Sequence, residues 1–106
     1  VSNKVIVHKN RTNRLTINLG IDVSGDTLTS QIRAEEDHTS TLIATWVVTF
    51  ETDGTDGVLL LTLDDVITAA ITVDSGFMDI KRLSGGEPLP VFDRPVEVSF
   101  RGTVTT

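Results

Sequence analysis

Apolar and polar residues alternate with a period of two along most of this chain. Over 15–19 the order Leu-Thr-Ile-Asn-Leu places Leu15, Ile17 and Leu19 on one side of an extended segment. The same spacing puts Leu28, Ser30, Ile32 and Ala34 on one face of 27–35, and Val96, Val98 and Phe100 on one face of a final strand over 96–105. A short strand is predicted over 4–8. The longest is predicted over 41–50, with Leu42, Ala44, Trp46, Val48 and Phe50 inward and Ile43 and Val47 on a side that an edge strand or a partner would cover. The run over 58–63 reads as a buried strand returning antiparallel to it, and another strand is predicted over 77–83.

Turn residues punctuate these strands. Val23, Ser24, Gly25 and Asp26 read as a tight turn, 51–57 as a hairpin connection with two Asp-Gly pairs, 74–76 as a further turn, and 84–90 as a hairpin loop. Alternation breaks once, over 64–70, where an Asp precedes apolar residues in sequence. One or two helical turns are expected there, started by Asp and serving as a crossover between sheets. Gly102 is placed to bulge the last strand. About eight short strands at roughly ten-residue spacing predict an all-β sandwich in one domain, residues 1–106.

Composition reinforces this. Thr, Val and Ile supply 37 of the 106 residues, a β-branched load that suits pleated strands and costs entropy in helices. With no Cys, stability must come from packing and pairing rather than disulfides. The longest apolar run, Val58, Leu59, Leu60 and Leu61, is far short of a membrane span, and the N-terminal residues lack the layout of a signal peptide. Fifteen acidic against nine basic residues give a net charge of −6, which opposes nucleic acid and anionic lipid alike. Neither nucleic acid nor a membrane is an expected partner. Lys4, Lys9, Arg11 and Arg14 are the one basic cluster, read as a solvated end or as a face toward an acidic surface.

Each candidate for chemistry competes with a plainer reading. Asp37, His38 and Ser40 carry the groups of a catalytic triad, but near-adjacent loop residues cannot aim them at one another. His8 stands at a strand end, and two distant histidines are too few for zinc. Asp53, Asp56, Asp64 and Asp65 offer the oxygens calcium prefers, without the alternating ligands or terminal Glu of an EF-hand; they are also ordinary turn formers. Glu35, Glu36, Asp37, Asp79 and Glu87 are the pool from which a glycosidase pair would come. Gly85-Gly86 lacks the Lys and helix of a phosphate loop, and Asn10-Arg11-Thr12 is a formal glycosylation acceptor. Trp46, with apolar neighbours on its face, reads as core rather than as a sugar platform. No catalytic, metal or cofactor site is expected.

The segments 25–33 (GDTLTSQIR), 42–46 (LIATW), 57–63 (GVLLLTL), 77–81 (FMDIK) and 100–105 (FRGTVT), in this order, resemble a family of small bacteriophage virion domains. Their layout is similar to the immunoglobulin-like modules of phage baseplate and tail proteins and to capsid decoration proteins. The resemblance implies an immunoglobulin-like β-sandwich and an accessory structural role on a virion, docked on capsid, neck or tail and made in the host cytoplasm. Tail versions form the start of a longer fibre, whereas this sequence closes with its last strand, so a stand-alone accessory protein is expected. Partners would be other virion proteins, with self-association through strand edges, and the segments 1–9 and 102–106 are expected to form those edges. A carbohydrate- or receptor-binding module is the alternative.

Overall fold

The computed structural model describes residues 4–37, 39–91 and 95–102. These form β1 (Lys4–His8), β2 (Asn13–Asn18), β3 (Thr27–Arg33), β4 (Leu42–Phe50), β5 (Val58–Leu63), α1 (Asp65–Ala69), β6 (Ser75–Ser84), β7 (Glu87–Pro90) and β8 (Val96–Arg101). The hydrogen-bonded order is β1-β8-β6-β3-β4-β5-β2, with β7 beside β6. This path folds over at β4. The first half of β4 pairs with β3, Ser30 opposite Trp46, and its second half pairs with β5, Phe50 opposite Leu59. β4 thus leaves one sheet and enters the other.

The two layers, β1-β8-β6-β3-β4 and β4-β5-β2, make an all-β, immunoglobulin-like sandwich. β3-β6-β8 occupy the places of strands C, F and G, and β2-β5-β4 those of B, E and D. β1 runs parallel to β8, with Lys4 opposite Glu97 and His8 opposite Arg101. As expected, α1 carries the chain from β5 in one layer to β6 in the other. Between the layers lie Val7, Ile32, Trp46, Met78, Ile80, Val98 and Phe100 from the larger sheet and Leu59, Leu61 and Leu63 from the smaller. Val23 and Ile71, both buried, come from connections at opposite ends.

Several sequence expectations are corrected. The pairing of β3 with β4 shifts register between Ile32 and Arg33, and this bulge reverses the alternation. Leu42, expected inside, is exposed, and Ile43, expected outside, packs against the core. Ile43 fills the space above Gly76: a β-carbon on that glycine would lie 2.9 Å from Ile43 Cδ1 and 2.9 Å from the Arg33 carbonyl oxygen. Gly76 is therefore inside a strand and not in a turn over 74–76, and β6, with ten residues, is longer than the nine-residue β4.

The hairpin loop expected over 84–90 is confined to two residues, with strand on either side. Gly85 and Gly86 both have positive φ (58° and 87°), the conformation a two-residue type I′ turn demands, and the chain returns as β7, Leu83 opposite Pro88. Pro88 and Pro90 are accommodated because β7 is an edge strand. Asp64 occupies the N-cap position of α1 without a side-chain cap bond; instead Asp65 Oδ1 accepts the Val66 N–H at 2.9 Å. β8 ends at Arg101, and the last part of the strand expected over 96–105 lies outside the described residues.

Candidate functional site

The side-by-side pairing of β3 and β6 puts Gln31 opposite Asp79 and Arg33 opposite Phe77 on the outer face of the larger sheet. The β3–β4 loop folds beside them, and a hollow of about 80 Å³ forms whose lining includes Glu35, Glu36, Asp37 and Asp79. Four of the five carboxylates proposed for acid chemistry are thus gathered in one place. Glu87 is not among them: it pairs with Ser84 at the hairpin end of β6. The hollow is open to solvent on one side, so its carboxylates stay hydrated. Arg33 supplies a positive charge among these acids, yet its guanidinium donates to the Ser40 carbonyl (2.8 Å) and to Gln31 Oε1 (2.9 Å).

The supposed triad is spent on the loop itself. Ser40 Oγ donates to the Asp37 carbonyl at 2.7 Å and accepts the Glu35 N–H at 3.2 Å, while Asp37 Oδ1 accepts the Thr39 N–H at 3.0 Å. His38 lies outside the described residues. His8 is exposed at the end of β1, with its backbone held by Asn13: the His8 N–H donates to Asn13 Oδ1, and Asn13 Nδ2 donates to the His8 carbonyl, both at 2.9 Å.

The calcium candidates divide between opposite ends of β5, Asp53 and Asp56 before it and Asp64 and Asp65 after it, roughly 20 Å apart at 3.4 Å per residue. Among the described residues no three His, Cys, Asp or Glu side chains form a metal-sized group. Asp53 Oδ1 accepts the Thr55 hydroxyl (2.6 Å) and N–H (3.0 Å), and Asp56 Oδ1 accepts the Val58 N–H (3.1 Å).

Sequence reasoning missed a second turn-closing carboxylate in the loop beside that of Asp53. Asp22, in the β2–β3 loop, accepts the Ser24 N–H at 3.0 Å and hydroxyl at 2.8 Å. The Ser24 N–H and hydroxyl hold the Asp22 carboxyl below its ordinary range; the Thr55 hydroxyl and N–H do the same for Asp53. The shared signal is Asp-x-Ser and Asp-x-Thr, the spacing at which a carboxylate closes a turn on its own backbone. The two loops interlock, since the Val23 N–H donates to the Gly54 carbonyl (2.9 Å) and the Leu19 N–H to the Gly57 carbonyl (2.8 Å).

The basic cluster is dispersed. Lys4 stands 3.4 Å from Glu97 and Lys9 3.7 Å from Asp74 at the two ends of β1, Arg11 Nη1 donates to the Asn10 carbonyl, and Arg14 is exposed on β2. Trp46 is 3% exposed, and its Nε1 has no hydrogen-bond partner. That burial removes it as a sugar platform. Large apolar side chains are exposed on the β5–β6 connection, at Val66 (75%), Ile67 (37%) and Val73 (41%), and also singly at Ile6, Ile21, Leu42, Val47 and Leu83 elsewhere. Among the described residues no helix is long and apolar enough to cross a membrane. No protein-family model and no curated protein matches the chain.

Proposed function

We propose that this protein is an accessory structural component of a bacteriophage virion, docked on capsid, neck or tail proteins and performing no catalysis. The observation that carries this is where the polar and apolar groups are spent. Ser40, Asp37, Asp22, Asp53 and Asp56 all close turns of their own backbone, whereas Val66, Ile67 and Val73 are presented outward on the connection between the layers. A partner that covers these side chains gains the free energy of removing their apolar surface from water. The resemblance of the strand segments to virion modules supplies the kind of partner. Net negative charge keeps free copies away from the nucleic acid that surrounds assembly.

The test is to locate the chain in purified particles. Mass spectrometry of virions is expected to find it in a copy number set by capsid or tail symmetry, and Val66→Lys is expected to lower that occupancy while leaving the melting temperature nearly unchanged, since the side chain is already in solvent. Particles that lack the chain would refute the proposal.

A further inference from the structure

β2 closes one end of the strand order, and β1 stands at the other, with β7 as a side edge. One of these edges is blocked and another is tied at one end. β7 carries Pro88 and Pro90, which remove N–H donors. β1 is stopped at His8, whose N–H and carbonyl are both taken by the Asn13 side chain. β2 carries no proline, glycine or carboxylate over Asn13–Asn18 and alternates without a break, half-buried then exposed.

The pairing tells which of its groups face outward. The Leu19 N–H bonds the Gly57 carbonyl and continues the register in which Ile17 faces Leu59 and Leu15 faces Leu61. In an antiparallel pair the residues that exchange hydrogen bonds alternate with those that do not. Leu15, Ile17 and Leu19 therefore bond β5, and the N–H and C=O groups of Arg14, Thr16 and Asn18 point away from the sheet. On the core side the same edge leaves Leu15 and Ile17 only half-buried.

We infer that β2 pairs antiparallel with β2 of a second copy of this chain, about a two-fold axis at Thr16. In that register Thr16 faces Thr16, Arg14 faces Asn18 and Leu15 faces Ile17, each in both directions. All six outward backbone groups of each edge find partners. The two arginines are kept apart rather than opposed, Thr meets Thr in a favourable cross-strand pair, and the half-buried apolar side chains cover each other. An isologous contact needs this self-complementarity. Shifting by two residues either loses a bonded pair or brings Arg14 opposite Thr16. The result joins the two smaller layers into one six-stranded sheet. Because the chain is acidic overall while β2 carries a positive charge and no negative one, added salt relieves repulsion between the copies and strengthens pairing.

Sedimentation velocity of the full chain over a wide concentration range tests this. A monomer–dimer equilibrium is expected for the unmodified chain. Thr16→Pro removes an N–H that points away from β5 and would cross to the second copy, and is expected to abolish it. Thr16→Lys and Thr16→Glu each place like charges across the axis and are expected to raise the dissociation constant about fivefold, and mixing the two is expected to restore association in a 1:1 complex. Circular dichroism confirms that each variant is folded; if Thr16→Pro is not, the charge pair decides alone. A chain that stays monomeric at every concentration, or one that associates equally well with Lys, Glu or Thr at position 16, overturns the inference.

Discussion

Thr68 does for one corner of the molecule what a neighbouring strand does elsewhere. Its hydroxyl accepts the Arg11 N–H at 3.1 Å and donates to the Arg11 carbonyl at 2.7 Å, tying the β1–β2 loop to α1. It is fully buried, while the more apolar Val66 and Ile67 beside it are exposed. The ranking of side chains by hydropathy is inverted because the corner has backbone groups to satisfy and Thr can satisfy both. Thr68→Val keeps the shape and removes this donor and acceptor. It is expected to cost about 1–3 kcal/mol, read from urea unfolding midpoints. A second consequence at this scale concerns acid. The Asp53 carboxyl is held below its ordinary value by hydrogen bonds, so its folded state binds a proton less readily than its unfolded state. Its stabilisation is complete above the unfolded value near 3.8 and is lost as pH falls through the lower, folded value. Asp53→Ala is expected to lower the melting temperature at neutral pH, with the gap to the unmodified chain closing as pH drops below 4.

Elements were legible in the sequence where one face alternates against a core, and illegible where one strand departs from that rule. Lys4–His8 and Val58–Leu63 have the bounds their residues imply, and α1 falls inside the one stretch where alternation stops. Leu42 and Ile43 were assigned to the wrong faces because a bulge changes the parity of every residue on one side of it, and no residue type announces a bulge between Ile32 and Arg33. Gly76 looked like a turn because glycine is the usual turn residue; the requirement is instead for empty space under Ile43, a contact between strands that the chain order hides. Gly76→Ala is accordingly expected to push β3 or Ile43 aside and cost about 1–3 kcal/mol, measurable by denaturant unfolding. Gly57 answers to a stricter demand, having φ of 75° and an Ile21 carbonyl oxygen only 2.3 Å from where a β-carbon would stand.

At the scale of the molecule, the sandwich could be anticipated from strand count and spacing, but the candidate site could not. The hollow beside Arg33 collects Glu35, Glu36, Asp37 and Asp79 because β3 and β6 are neighbours, although Glu35 and Asp79 stand 44 positions apart in the chain. The interlock of the loops that carry Asp22 and Asp53, made by backbone bonds such as Val23 N–H to the Gly54 carbonyl, has the same origin, two loops brought to one end by antiparallel pairing. Only the local halves of such arrangements, the Asp-x-Ser and Asp-x-Thr turns, leave a trace that can be read one residue at a time. The edges follow the same logic: which strand lies outermost is a property of the pairing order, so the openness of β2 could not be seen in its own six residues.

The parallel alignment of β1 with β8 has a mechanical corollary. These are the first and last strands of the described chain, matched over five residue pairs from Lys4–Glu97 to His8–Arg101. Tension applied through the two ends pulls β1 toward its beginning and β8 toward its end, so the strands are loaded along their length. Their hydrogen bonds must then give way together instead of peeling one after another, and the rate of that rupture, rather than the equilibrium stability, sets how long the domain endures under load.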